Sequence, residues 1–346
     1  MRRLTVLTTA ATALMTATAA FAQPAAETAA PAADLPGALA AYAGFQSDVT
    51  ELRGARLNSA SDLEAVIDRA SRHNRLTLTR GWVAYGAYTA MQSRDFADGV
   101  REASRRYGRD DVIRAIAYDP NYARTLRGSG DAVRLALDSA AADGARVVEV
   151  ADRYQEQAYR LQRLSWARAV APGQNARVQR VRSLGAPGAT PAAVPASWSD
   201  HLVVRPLSLN PTNNPTDFGG RRFWDAVSGG GNVIQASNTP VSYQWRLDGP
   251  RGEAVGRMLS IAALETLDAA EDNAGAVNTL MTDPRSRDCL EMAQLQLYQC
   301  MSAARFRYEN AFCLGQHALR DVGTCISAVA RPDETAMTPL PAATRP

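Results

Sequence analysis

Cys289, Cys300, Cys313 and Cys325 are the only cysteines of a 346-residue chain, and His317 lies among them. Four sulfurs and an imidazole in one short stretch can hold a metal, cycle electrons or form covalent bridges. Spacing separates these chemistries. Structural zinc sites bring ligands in close pairs such as C-x2-C. Here the pattern is C-x10-C-x12-C-x11-C, which leaves Cys313 and His317, one helical turn apart, as the only metal-like pair. A dithiol redox centre needs C-x-x-C, and the chain has none. We therefore expect no metal site and no cofactor, and read the cysteines as disulfides, the normal fate of an even set in an oxidising compartment.

Helical geometry selects the pairing. Eleven residues separate Cys289 from Cys300, which on a helix is about 20° of rotation and about 16.5 Å of rise. Both face the same way, yet they lie too far apart for a bond that needs Cα atoms within about 7 Å. An antiparallel helical hairpin turning near Arg307–Ala311 nests the bridges, with Cys300–Cys313 inside and Cys289–Cys325 outside. One detail misfits. Twelve residues separate Cys313 from Cys325, which leaves the second about 120° off the face of the first. The expectation is that Gly323 ends the helix and absorbs the error.

Acid–base chemistry has few vehicles. The histidines are His73, His201 and His317, and no G-x-S-x-G elbow occurs. Asp200-His201 sits beside Ser197, Trp198 and Ser199 in an irregular segment, the least ordinary setting of the three. His73 ends a helix, where the macrodipole favours it, and His317 reads as a structural histidine. Asp217, Asp225 and Glu309 are conceivable members of a glycosidase carboxylate pair, with no spacing argument behind them. In "DFGGRRFWD", Arg221 and Arg222 stand among aromatics that include Trp224, a mix that stacks on a sugar or grips a carboxylate or simply packs on itself. The candidate binding residues are thus Asp200, His201, Asp217, Arg221, Arg222, Trp224 and Asp225. "SGGGN" lacks the strand-then-helix setting of a phosphate loop, and Trp82, Tyr85 and Tyr88 fall in a helical run that reads as core.

The start of the chain suggests where these residues operate. Arg2-Arg3, an uncharged apolar run and Ala20-Phe21-Ala22 have the form of a secretory signal peptide cleaved after Ala22. Its removal takes two arginines and no acid, lowering the formal charge from +3 to +1. A nearly neutral product has no electrostatic footprint for nucleic acid. Every basic residue is arginine, and with abundant alanine this points to a GC-rich bacterial source. No later stretch reaches the length of a membrane helix. The expected location is periplasmic or secreted.

The elements that must position these residues are helical. Residues 23–33 read as a flexible leader, 34–170 as a helical bundle, 171–197 as a Pro/Gly/Ala linker, 198–250 as loop-rich with a possible small hairpin (202–204 and 241–245), 251–330 as helical, and 331–346 as a tail. Ser61 to Glu64 matches a capping box. Asp95 and Asp98 open a helix that Gly108 closes, and Asp110 or Asp111 opens another that stops before Pro120. Val133, Leu137, Ala140, Gly144, Val147, Ala151, Tyr154, Ala158, Leu161 and Ser165 alternate four and three apart, an a/d seam on a helix over 131–170, about 60 Å long. The seam serves an intramolecular bundle or a homo-oligomer. Val255, Leu259, Ala262, Ala263 and Leu267 stripe a later helix.

The expectation is an all-α protein with an N-terminal long-helix bundle and a stapled C-terminal hairpin. In function it reads as a non-enzymatic envelope protein that binds or scaffolds another envelope protein or the cell wall. A second reading is a cell-wall-active hydrolase with its site in 198–250.

Overall fold

The first four helices begin where a polar side chain can take the place of a missing turn. In the computed structural model, which describes residues 34–171, 173–187, 219–228 and 249–330, Asp34 caps α1 (Leu35–Gly54) by accepting the Gly37 amide at 2.8 Å. Asn74 caps α3 (Arg75–Met91) and Ser93 caps α4 (Arg94–Tyr107) in the same way. The capping box of α2 (Ala60–Ser71) lies two residues before the expected one. Ser59 has the extended backbone of a cap, and Asp62 returns the bond to its amide at 3.0 Å. Ser61 is already inside the helix. Gly108 closes α4 with a φ of +92°, and α5 (Arg109–Tyr118) stops at Asp119, before Pro120.

The long helix is α6 (Ser129–Leu161), about 50 Å. It is shorter than the expected 131–170 span, because the chain turns extended at Leu164 and Ser165–Arg168 forms a separate single turn. From Val133 to Leu161 every seam residue is buried, whereas Ser165 is exposed. The partners of α6 belong to its own chain: α3, the segment Leu314–Arg320 and α13 (Asp321–Ser327). The seam is thus spent on an intramolecular bundle, and residues 133–165 leave no such face for a homo-oligomer. Small residues permit a close crossing, since a Cβ on Gly144 would lie 2.5 Å from the Gly323 carbonyl oxygen and one on Gly323 2.8 Å from that of Gly144.

The other central helix is α3, buried on all sides and flanked by α1, α6 and α9 (Gly249–Thr266). Trp82, Tyr85 and Tyr88 are core, as their helical spacing predicts, and so is the stripe Val255, Leu259, Ala262, Ala263 and Leu267. One hydrophobic cluster runs from α1 to α13, so residues 34–170 and 251–330 complete each other. Part of the expected linker is structured: α7 (Gln174–Leu184) buries Val178 and Val181 and packs on α2 and α11 (Pro284–Ala303). The expected loop-rich segment contributes α8 (Gly220–Ser228), which buries Phe223 and Trp224. The expected signal peptide, leader and tail, and the expected strands at 202–204 and 241–245, lie outside the described residues. Among the described residues no helix is long and apolar enough to cross a membrane.

The C-terminal hairpin pairs Cys289 with Cys325 and Cys300 with Cys313, at Cα separations of 5.8 and 5.6 Å. It turns at residues 304–306, earlier than expected, because α12 (Arg307–Cys313) starts with Glu309 accepting the Phe306 amide at 2.8 Å. The angular misfit of Cys325 is absorbed elsewhere than at Gly323. Leu314–Arg320 is a π-helical turn, which accommodates one extra residue in a helix. Twelve residues therefore cover the rotation of eleven, and Cys313 and Cys325 share a face as Cys289 and Cys300 do. Gly323 stays helical and is used for the approach to α6.

Candidate functional site

The disulfides leave Cys313 no thiolate to share with His317. His317 Nδ1 lies 2.7 Å from Asp321 Oδ2, an i,i+4 contact on the helical surface. His73 is buried with Nε2 2.7 Å from Asp48 Oδ2, and Asp48 also receives Arg69 at 3.1 Å and Arg72. Burial pushes the His73 imidazole below its usual range against the pull of Asp48. Burial also opposes charge on Asp48, but the bonds from His73 and Arg72 outweigh it and hold that carboxyl low. Of the candidate binding residues, Asp200, His201 and Asp217 lie outside the described residues. Glu309 is a helix cap.

Arg221, Arg222, Trp224 and Asp225 all lie on α8, which the structure docks against α1 and α6. The dock is centred on a residue the sequence did not single out. Asp143, on α6, is fully buried. Its Oδ1 accepts the Gly220 amide at 2.7 Å and Trp224 Nε1 at 2.6 Å, and its Oδ2 accepts the Tyr42 hydroxyl at 2.8 Å. Gln46 donates to the Tyr42 hydroxyl at 3.0 Å, and Arg146 donates to Gln46 Oε1 at 2.5 Å. Burial pushes the Asp143 carboxyl up to about 6 despite these donors. Around it Tyr42, Tyr85, Phe223 and Trp224 pack ring against ring, with Phe223 and Trp224 edge to face at 4.8 Å.

On α8, Arg221 is taken up by acids of the chain itself. Asp225 takes Arg53 at 2.9 Å, and Arg221 lies 3.4 Å from Glu149 and 3.6 Å from Asp225. Of the alternatives for this stretch, packing is the one these contacts fit: Phe223 and Trp224 are buried where α8 docks, Trp224 at zero exposure.

An open site lies on the other side of α3. The start of α1, α3, α9 and α10 (Ala274–Met281) enclose a cavity of about 650 Å³, within the size range of small-molecule sites. Leu39, Ala84, Ala87, Ile261, Val277 and Met281 give it apolar walls. Five acids line it as well: Asp34, Glu265, Asp268, Glu271 and Asp272. None of its lining residues is basic, and none of the five makes an ion pair among the described residues. Burial, then the charges of Asp268 and Glu271, push the Glu265 carboxyl above its usual range. Tyr88 lines the cavity at 3% exposure, and its hydroxyl has no hydrogen-bond partner; nor has Asn278 Oδ1. Unpaired buried polar atoms are uncommon enough that each asks for an explanation.

The rim holds the one non-glycine residue with positive φ among those described, Asp268 at +49°. It occupies the left-handed position after α9, where the Ala269 amide returns to the Leu264 carbonyl at 2.9 Å and the Asp268 amide to the Glu265 carbonyl at 3.0 Å. That is a Schellman closure, in which glycine is the usual choice. Arg109 donates to the Leu267 carbonyl at 2.8 Å and steadies the turn.

Sequence reasoning missed this cavity, although one signal was available. Between Arg257 and Arg285 there is no basic residue, while Glu265, Asp268, Glu271, Asp272 and Asp283 all fall in that interval. In a chain with 38 arginines, such a run marks acids left without local partners. Comparison of the chain with known protein families, with curated proteins and with solved structures finds no match.

Proposed function

We propose that the chain is an exported envelope protein that binds a ligand without transforming it, and that the cavity between α1, α3, α9 and α10 is its binding site. The observation that carries this reading is the coincidence in one cavity of apolar walls and five carboxylates without ion pairs among the described residues, with a lining tyrosine, Tyr88, whose buried hydroxyl has no partner. Apolar walls with a few convergent polar groups are the general form of a ligand pocket. Export is supported by the signal-like start of the sequence and by two disulfides, which persist in oxidising compartments. Scaffolding of another envelope protein or of the cell wall is a role the same location permits.

Mass spectrometry of small molecules retained from an envelope extract tests the binding reading. Ala274 is exposed at the cavity lining, so Ala274→Trp obstructs the cavity without touching the core. Retention of a compound by the wild type and its loss in the variant is the expected result; equal retention by both overturns the assignment. N-terminal sequencing of the natural protein should begin at Gln23, and an intact Met1 would remove the export argument.

A further inference from the structure

We infer that the ligand of this cavity is an amphipathic organic cation, an ammonium or guanidinium head carried on an apolar body. The inference rests on the binding reading above and deepens it. Five lining side chains are carboxylates, which when ionised only accept hydrogen bonds; Asp34 already takes the Gly37 amide, which leaves Glu265, Asp268, Glu271 and Asp272 without a donor among the described residues. No lysine exists in the chain, and no arginine or histidine lines the cavity to serve them. The missing complement is therefore a set of N–H donors with positive charge, supplied from outside. Charge-assisted bonds of this kind are among the strongest available to a binding site, and Tyr88 adds an aromatic ring that attracts cations.

Two further observations narrow the class. No three acids among the described residues converge closely enough to hold a metal ion, so the charge to be matched is a spread one rather than a point. The walls are aliphatic and include Met91 and Met281, and adaptable thioethers suit a flexible apolar body. An inorganic cation or a fully hydrated polyamine would leave that surface unused. Repulsion from Asp268 and Glu271 on half-buried Glu265 is relieved when a cation arrives, which makes the bound state the electrostatically settled one.

The test is isothermal titration of the full mature chain, disulfides intact, with three compounds sharing one apolar body: 4-phenylbutylammonium, 4-phenylbutanol and 4-phenylbutanoate. The ammonium should bind about tenfold more tightly than the alcohol, and the carboxylate should not bind. Glu265→Gln and Asp268→Asn should each weaken the ammonium several-fold while leaving the alcohol unchanged, with thermal melts verifying the fold of both variants. If alcohol and ammonium bind equally and Ala274→Trp abolishes both, the cavity is a binding site and the cation inference is wrong. If none of the three binds, the cation inference falls, and the binding reading is judged by the extract comparison alone.

Discussion

Asp143 and Glu265 are carboxylates on helices of one bundle, both drawn partly or wholly out of water, and the donors around them differ. Asp143 accepts a backbone amide, an indole N–H and a tyrosine hydroxyl from three positions far apart in sequence. Glu265 faces two further acids and no base. A buried polar group with its partners in place specifies structure, and a group of the same kind lacking partners is tolerated only where something else supplies them. The first arrangement fastens α8 to the bundle. The second leaves a cavity whose acids have no ion pairs among the described residues.

The largest effect should come from breaking the closed site. Asp143→Ala strands the Tyr42 hydroxyl, the Trp224 indole and the Gly220 amide in a dry interior, at a cost of about 3–5 kcal/mol by analogy with other severed buried charges. Urea unfolding measures it; a loss under about 1 kcal/mol would mean that the cluster anchors nothing.

The pH response of the same residue comes next. With its folded carboxyl at about 6 and an unfolded value near 4, the folded chain holds an extra proton between those limits. Stability from Asp143 is therefore greatest at low pH and is lost as pH rises from about 4 to about 6, by on the order of 2–3 kcal/mol. His73 acts in the opposite sense, since its lowered value costs stability as pH falls below about 6.5. The difference between wild type and Asp143→Asn isolates the first effect. A difference that does not change with pH would show that its donors outweigh its burial.

At the open site the sign reverses. Asp268→Gly removes a left-handed strain at the cavity lining and should stabilise the chain by about 1 kcal/mol, while weakening 4-phenylbutylammonium. Thermal unfolding and titration together check it; loss of stability would show that the aspartate is there for the fold. Smallest of all is Arg221→Ala. Its pairs with Glu149 and Asp225 are well exposed, and the expected change is below about 0.5 kcal/mol.

What could be read from the sequence followed the range of the interactions. The α6 seam and the cysteine pairing rest on periodicities within one or two helices, and both are present in the fold. The capping box was misplaced by two residues because Ser59 and Ser61 carry the same hydroxyl and only the backbone of Ser59 is extended. The π-turn had a trace in the twelve-residue spacing, read as a fault to be absorbed at Gly323. Asp143 carried no local signal. Its partners Tyr42, Gly220 and Trp224 lie 101, 77 and 81 residues away, so its role exists only once three helices have met. The cavity likewise belongs to no single segment. The aromatic–arginine stretch left two readings open for the same reason: residue types suited to gripping a ligand are equally suited to gripping α6 and α1.

The crossing of α6 and α13 at Gly144 and Gly323 has an evolutionary consequence. Both positions already carry the smallest side chain there is, so every available substitution adds volume and none can remove it. A leucine pair can drift through neighbours of similar size, with one member shrinking as the other grows. Here a smaller neighbour would not be enough, because a side chain at either glycine would meet the backbone oxygen of the other as well as the side chains of Ser327 or Val147. Within any lineage that keeps this stapled hairpin seated on α6, these two sites should be the slowest in the chain to change.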